Sequence, residues 1–289
     1  MVMEPNKFIV NYVNQHYGFN CLDCSPEQLD LVEKIEISDV TPPFGPDTDT
    51  FWDFSIFPKL KKIVCTYNYI AGIDISKNKL LEEINWSGVR GNLKRNLDFS
   101  GNPNLKKVVG GQDGLTALDL SNNPHIEEIV MSLNSQLRYI NLTNCTKLKR
   151  ISLFGVNIPF VDLTNCRELE ECDINYWNLY KNKCDVYGDG YPRPILFVSP
   201  DFDEKIIPSE TRQYSYYTYY LVRTAPNSVE SELLDYLKSN LHIILATSGN
   251  TNGAAVAKLH YDILEKLEDM RNPSVDLPFD MPSSPDLPF

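Results

Sequence analysis

Apolar residues recur along the middle of the chain in the spacing L-x-x-I-x-φ, where φ is any apolar residue. A β-strand points alternate side chains to opposite faces, so this spacing predicts a short strand with its apolar side chains facing inward. The first inward set is Leu60, Ile63 and Cys65. The leading residues of the six units are Leu60, Leu81, Leu105, Ile126, Leu148 and Leu169. We therefore expect six strands to stack in parallel and in register.

A second pattern, φ-D-φ-[ST]-x-x-[NC], predicts a corner that turns the chain back in each unit. Its acidic or amide position recurs at Asp53, Asp74, Asp98, Asp119, Asn141 and Asp162, in steps of 21, 24, 21, 22 and 21 residues. Its last position holds Asn78, Asn102, Asn123, Cys145 and Cys166. A buried amide there can satisfy backbone groups at the bend, and Cys can replace it as a small buried residue. One such coil cannot bury its own apolar edge, so the coils must stack.

These units resemble the leucine-rich-repeat family, in particular its short bacterial subtype with units of the form LDVSKNxxLxxL. The resemblance covers about residues 30–175. It implies an α/β repeat solenoid, a right-handed leucine-rich-repeat stack of about six or seven coils, and a protein-binding role without a particular ligand. Two departures are the insertion VRGNLKRN before Asp98 and Gly110, which replaces an apolar strand residue.

The pattern divides the chain into four parts. Residues 1–31 form a helical N-terminal cap, in which Ser25-Pro26-Glu27-Gln28 has the form of a capping box. Residues 32–175 form the solenoid, whose first coil contains VEKIEI from Val32 to Ile37. Residues 176–271 form a small α/β or α+β capping module, and residues 272–289 form a disordered acidic, Pro-rich tail.

Within the capping module, the run Ile195 to Val198 predicts a last strand, and a tyrosine-rich segment ending in YYLVRT predicts another. An amphipathic helix begins near Asn227-Ser228, and a further strand and a helix over about 253–270 follow. Interleaved tyrosines can stack on nucleic-acid bases, but no basic cluster accompanies them, so packing or a protein interface is favoured.

Charge and cysteine usage narrow the functional classes. The 289 residues carry a net charge of −12, which argues against binding nucleic-acid backbones or anionic membranes. The first residues lack the pattern of a signal peptide, and no stretch reaches membrane-spanning length. Seven cysteines, an odd number, indicate reduced thiols and a cytoplasmic location.

The two residues after each leading apolar position form charged pairs whose sign alternates from coil to coil. The pairs are Lys61-Lys62, Glu82-Glu83, Lys106-Lys107, Glu127-Glu128, Lys149-Arg150 and Glu170-Glu171. Stacked in register, each basic pair lies about 4.8 Å from acidic neighbours. These residues are a possible docking face for a charged partner. A self-neutralised surface that fixes the register is the favoured alternative.

Catalytic motifs are weakly represented. A loop from Ser248 to Gly253, between a strand and a helix, could hold an anion, and Thr247–Thr251 is similar to a substrate loop of the cysteine-synthase family of pyridoxal-phosphate enzymes. A polar turn is favoured there. Cys21 and Cys24 form half of a zinc site, without a second half in the sequence. We therefore expect no catalytic residue, no cofactor and no metal.

The tail repeats Asp-Leu-Pro-Phe at 276–279 and at 286–289. The second copy resembles the C-terminal tip of bacterial single-stranded-DNA-binding proteins, which docks on genome-maintenance enzymes in that family. The resemblance implies that Asp286, Leu287, Pro288 and Phe289 bind a partner, with Phe289 in an apolar pocket and its carboxylate on a basic residue. A simple solubilising tail is the alternative.

Three functional hypotheses remain. The leading one is a non-enzymatic protein that binds protein partners through its solenoid. The second is a tail-mediated binder or mimic that acts on the partners of single-stranded-DNA-binding protein, without direct nucleic-acid contact. The third is an enzyme that uses the Ser248–Gly253 loop for an anion.

Overall fold

A computed structural model describes residues 6–39, 50–88, 97–111, 114–134, 136–156, 158–174, 195–203 and 220–240, and five residues between 262 and 270. Two helices open the chain: α1 spans Lys7–Tyr17 and α2 spans Pro26–Leu29. The Asn6 side chain accepts a hydrogen bond from the Phe8 N–H at the start of α1, and Gly18, at φ 77°, ends that helix. The predicted capping box is confirmed at α2, because Ser25 and Gln28 exchange side-chain to backbone bonds.

A seven-stranded parallel sheet forms one side of the stack, and we call it the ladder sheet. Its strands, in spatial order, are β1 (Lys34–Glu36), β3 (Lys62–Val64), β5 (Glu83–Asn85), β6 (Lys107–Gly111), β8 (Glu128–Ser132), β10 (Arg150–Phe154) and β12 (Glu171–Asp173). The strands pair coil to coil without a slip, as in Ile63↔Ile84 and Val108↔Ile129. This order confirms the parallel, in-register stack that the repeat predicted.

The opposite side of the coils is also built from parallel strands. The strand β2 (Thr50–Asp53) pairs with β4 (Ile70–Asp74), and β7 (Ala117–Asp119) pairs with β9 (Tyr139–Asn141). The strand β11 (Phe160–Asp162) pairs with β13 (Ile195–Val198), which pairs with β14 (Tyr220–Arg223). The strands of this second side form three separate short sheets. The architecture is a leucine-rich-repeat-like solenoid of parallel strands.

The leading apolar residues form the spine of the core. All six are buried, and five of them, such as Leu60 and Leu148, have no exposed surface. The fourth position of each strand unit is also buried, as for Ile63, Ile84 and Ile151. One continuous apolar cluster therefore runs from α1 to the last described coil of the ladder sheet.

The corner amides form a second internal ladder. The Asn102 amide donates to the carbonyl oxygens of Ile75 and Asn78, both at 2.9 Å. The amides of Asn78 and Asn123 likewise each donate to two backbone carbonyl oxygens of the preceding coil. Cys145 takes the next position, where its thiol approaches the Leu120 carbonyl oxygen at 3.5 Å. The predicted role of these buried residues at the bend is confirmed.

Gly110 departs from the strand pattern because its neighbour is a tryptophan. Trp86 holds the equivalent inward position one coil earlier and is fully buried. A Cβ on Gly110 would lie 2.3 Å from the Trp86 ring, well inside the contact distance of two carbon atoms. The large Trp86 side chain in one coil therefore requires a glycine at the equivalent position of the next coil.

The last strands extend the second side of the solenoid. A helix, α3 (Val229–Ser239), follows β14 and begins where the Ser228 side chain accepts from the Ser231 N–H. Its buried residues Leu233, Leu234 and Leu237 join a cluster with Phe160 and Ile195. The predicted strand Ile195–Val198 and helix near Ser228 are confirmed, whereas residues 241–261, which contain the next predicted strand, lie outside the described residues. The division into four domains stays a prediction. None of the described helices combines the length and apolar character needed to cross a lipid bilayer.

Candidate protein-docking face

The six charged pairs from Lys61-Lys62 to Glu170-Glu171, which we call the charge ladder, lie along one edge of the outward face of the ladder sheet. The alternation of strand side chains places them there, because Ile63, Ile84 and their equivalents point into the core. The second residue of each charged pair begins a strand or lies within it, and the register sets Lys62 opposite Glu83. The same register sets Lys107 opposite Glu128. The geometry brings all twelve predicted residues together on one surface.

Ion pairs connect the ladder from coil to coil. Lys106 Nζ lies 2.8 Å from a Glu82 carboxylate oxygen, and Lys149 Nζ lies 2.9 Å from Glu127. The other contacts between coils are Lys61–Glu33, Lys62–Glu36, Lys62–Glu83, Lys107–Glu128, Arg150–Glu128 and Arg150–Glu171. Most of the charges on this edge are therefore already matched within the chain.

The pKa shifts follow from these contacts. The hydrogen bond from Lys149 holds the pKa of the Glu127 carboxyl below its ordinary value. The same hydrogen bond raises the pKa of Lys149. The hydrogen bond from Lys106 to Glu82 likewise raises the pKa of Lys106. Because each shift favours the charged form, the ladder keeps its alternating charges around neutral pH.

The first coil breaks the alternation. Lys34 lies directly opposite Lys62, so two like charges face each other at the edge of the sheet. Glu36 lies between them, 2.7 Å from Lys34 Nζ and 3.6 Å from Lys62 Nζ. The bond from Lys34 lowers the pKa of Glu36. The Glu36 carboxylate on β1 thus offsets the repulsion between Lys34 and Lys62.

A second lane of side chains runs beside the ladder, two residues further along each strand. This central lane consists of Glu36, Val64, Asn85, Val109, Val130, Ser152 and Asp173. All seven are half-buried, and the interior of the lane carries no charge. Burial raises the pKa of Asp173, at the far end of the lane. Sequence reasoning did not single out this lane, although its residues occupy the fifth position of the repeat.

Several coils place a residue in the left-handed region just after the strand. Tyr67 and Leu133 have φ 57° and 55°, which is unusual for bulky side chains. Each one packs over a glycine of the next coil: a Cβ on Gly88 would lie 2.5 Å from the Tyr67 ring, and one on Gly155 would lie 2.8 Å from Leu133. Tyr67 is 53% exposed. The rim of the ladder sheet therefore presents a large aromatic side chain that the sequence pattern did not reveal.

A shallow cleft lies at the N-terminal end of the stack. It measures about 250 Å³ and lies between α1 and the first strand. Phe8, Asn11, Tyr12 and Gln15 contribute one wall, and residues 36–38 contribute the other.

The other candidate residues do not assemble into a chemical site. Cys21 is buried and Cys24 is half-buried, and burial raises the pKa of Cys21 to about 11. Within the described ranges, no three His, Cys, Asp or Glu side chains form a cluster able to hold a metal ion. His125 lies on the surface, 3.2 Å from Lys147 Nζ. The loop from Ser248 to Gly253 and the tail residues Asp286, Leu287, Pro288 and Phe289 lie outside the described residues.

Comparisons with known proteins show similarity to solved structures but to no family model. No family model matches the chain, and no curated protein matches it. The chain is similar to a solved structure described as the functional domain of InlJ from Listeria monocytogenes, which includes a cysteine ladder. The identity is 17%, the TM-score is 0.39, and the match covers 63% of this chain and 46% of that structure. The chain thus spans about half the length of that neighbour. Its own strand register identifies the fold as a leucine-rich-repeat-like solenoid.

Proposed function

We propose that this chain is a non-enzymatic protein-binding solenoid that holds a protein partner on the outward face of the ladder sheet. The observation that carries the proposal is the combination, on one regular surface, of a central lane with an uncharged interior, a matched charge ladder and an exposed aromatic rim residue, Tyr67. Interfaces typically combine an apolar centre with a polar surround and aromatic anchors.

The matched ladder determines what kind of partner this face would accept. A partner with charges of one sign would have to break ion pairs such as Lys106–Glu82 and Lys149–Glu127. A partner with alternating charges, or one that contacts mainly the central lane, would keep them. The ladder then contributes selectivity, and the central lane and Tyr67 contribute contact area.

The test is site-specific photo-crosslinking in cells that produce the chain. A benzophenone amino acid replaces Val130 in the central lane, or Asn122 on the opposite corner as the matched control. We expect a discrete crosslinked protein from position 130 and none from position 122. The same species should be lost when Val109→Lys is added to the Val130 probe. Identical products from both positions would contradict the proposal.

A second candidate function rests on the duplicated Asp-Leu-Pro-Phe segment, at 276–279 and 286–289. We propose that these segments bind an apolar pocket with a basic rim, as on enzymes that recognise single-stranded-DNA-binding-protein tails. A phenylalanine preceded by proline offers a large anchor with little conformational freedom to lose. Peptides covering each copy should bind such an enzyme, and Phe279→Ala or Phe289→Ala should weaken binding by about tenfold or more. Equal affinity of the intact and substituted peptides would exclude this role.

A further inference from the structure

The outward face of the ladder sheet is complementary to itself under one particular symmetry operation. From β3 to β12 the charged pairs alternate as basic, acidic, basic, acidic, basic, acidic. Read in the reverse direction, from β12 to β3, the same six pairs begin with an acidic pair and end with a basic pair. A second copy with reversed stacking order therefore places every basic pair opposite an acidic pair.

A two-fold axis parallel to the strands, between β6 and β8, produces this reversal. It sets Lys106-Lys107 opposite Glu127-Glu128 of the other copy and Glu82-Glu83 opposite Lys149-Arg150 of the other copy. A two-fold axis along the stacking direction that runs through the ladder would instead set each pair against itself, with like charges in contact. When the two ladders face each other, their charges therefore match only around the axis parallel to the strands.

The same operation acts on the central lane. Val109 and Val130 are adjacent in the register, so the axis between β6 and β8 brings both valines of each copy to the centre. Each Val109 then lies opposite Val130 of the other copy, and Asn85 lies opposite Ser152 of the other copy, an amide opposite a hydroxyl. The centre is apolar, the flanks can form hydrogen bonds, and the charges lie alongside, which is the usual anatomy of a symmetric interface.

On these grounds we infer that the ladder sheet associates face to face with a second copy of this chain, around a two-fold axis between β6 and β8. The inference rests on the proposed function, since it names a partner for the same face.

The available area sets the strength of this dimer. Six strands at about 4.8 Å and a width of about five residues give a face of roughly 29 by 17 Å. Two such faces bury about 1,000 Å² in total, below the 1,200–2,000 Å² that is usual for stable complexes. The association is therefore weak and reversible, and it leaves the face available to other proteins at low concentration.

The test measures association of the full chain by sedimentation velocity over a range of concentrations. We expect a reversible dimer that weakens as sodium chloride is raised. The double variant Val109→Asp with Val130→Asp puts four carboxylates at the centre, and we expect association to weaken by more than about a hundredfold. A control with the same charge change on the opposite corner, Asn122→Asp with Thr146→Asp, should dimerise like the parent chain.

A complementary mixture separates this geometry from nonspecific effects. Val109→Lys with Val130→Lys should also be monomeric, and an equimolar mixture with the Asp variant should form a one-to-one heterodimer. Thermal melting of each variant alone verifies that it is folded. A parent chain that stays monomeric at about 100 μM and low salt, or folded charge variants that fail to combine, would overturn the inference. A monomeric parent that still gives the crosslink at position 130 would leave the proposed function intact and remove only self-association.

Discussion

At the scale of single residues, the interior of this solenoid depends on amides and thiols that occupy one repeated position. Asn78, Asn102 and Asn123 each donate two hydrogen bonds to backbone carbonyl oxygens of the preceding coil. Those carbonyl groups lie at a bend, where each also accepts one backbone N–H of its own turn, as Asn78 O does from Leu81. Cys145 offers only one long contact from its thiol, so the ladder changes chemistry towards the C-terminal coils.

The first prediction compares two asparagines of one coil. Asn102→Ala removes two buried hydrogen bonds, although Ile75 O and Asn78 O each keep a backbone N–H donor, so the free energy of unfolding should fall by about 1–3 kcal/mol. Asn104 also donates to a carbonyl oxygen of the preceding coil, Lys79 O, but at an exposed site. Asn104→Ala should cost less than about 1 kcal/mol, because water replaces the lost donor. Urea denaturation measures both, and equal losses would show that burial does not control the energy of this ladder.

The second prediction concerns pH. Burial, followed by the charge of Asp119, raises the pKa of Cys145 to about 12. Below about pH 8.5, the ordinary pKa of a thiol, Cys145 is protonated in both states and stability does not depend on it. Between about pH 8.5 and 12 only the unfolded chain releases this proton, so stability falls as pH rises, by at most about 1.4 kcal/mol per pH unit.

The variant Cys145→Ala should therefore show a shallower decline of the free energy of unfolding between pH 9 and 11 than the parent chain. Cys24→Ala is the matched control, because Cys24 is only half-buried, and it should change the slope less. Denaturation series at several pH values give both slopes. A Cys145→Ala slope identical to that of the parent would mean that Cys145 titrates normally in the folded chain.

At the scale of elements, the charge ladder aligns one strand with the next. Each inner pair contacts two pairs of opposite sign, through bonds such as Lys107–Glu128 and Arg150–Glu171. Single exposed ion pairs contribute little. A slip by one coil, however, would bring like charges together along the whole sheet, so the pattern acts chiefly against misregistered stacking.

The third prediction tests that function of the ladder. Replacing Glu127-Glu128 with Lys-Lys puts three basic pairs in consecutive coils, and we expect the melting temperature to fall by roughly 3–8 °C at low salt. Added salt should recover part of the loss, because it screens exposed charges. The same replacement at Glu170-Glu171, where only one neighbouring coil carries a described charged pair, should cost about half as much. An unchanged melting temperature at low salt for the inner replacement would show that the side chains are merely solvated.

The sequence predicted the coils because spacing alone determines which residues face inward. Leu60 to Leu169, the corner asparagines and the charged pairs all follow from one period. The sequence could not predict the compensation between Trp86 and Gly110, which depends on side-chain volume across coils. Nor did it reveal the left-handed backbone at Tyr67 and Leu133, since neither residue type favours that conformation. The central lane was overlooked because its valines look like core residues until the register shows that they face outward.

At the scale of the whole molecule, the stack must end without leaving an open sheet edge. The first strand pairs only with β3, so its other side would expose unpaired backbone groups. The cap helix α1 provides the partners: the Tyr17 hydroxyl donates to the Lys34 carbonyl oxygen at 2.8 Å and accepts from the Lys34 N–H at 3.2 Å. The Tyr12 hydroxyl lies close to the backbone of Glu36. Two tyrosines thus occupy the edge that another strand would otherwise pair with.

The fourth prediction is that these hydroxyl groups protect the edge. Tyr17→Phe keeps the ring and removes the hydroxyl, so the Lys34 amide should exchange with deuterium up to about tenfold faster, as expected for the loss of one hydrogen bond. The Glu83 amide, which donates to Lys61 O inside the sheet, should be unaffected. The double variant Tyr12→Phe with Tyr17→Phe should also show concentration-dependent light scattering, because two bare edges can pair. Tyr236→Phe on α3 serves as the control, since its ring stacks with Lys266 far from β1 in sequence. If the Lys34 amide exchanged at the parental rate and the double variant did not associate, the packing of α1 alone would protect the edge, and the hydroxyl bonds would be incidental to it.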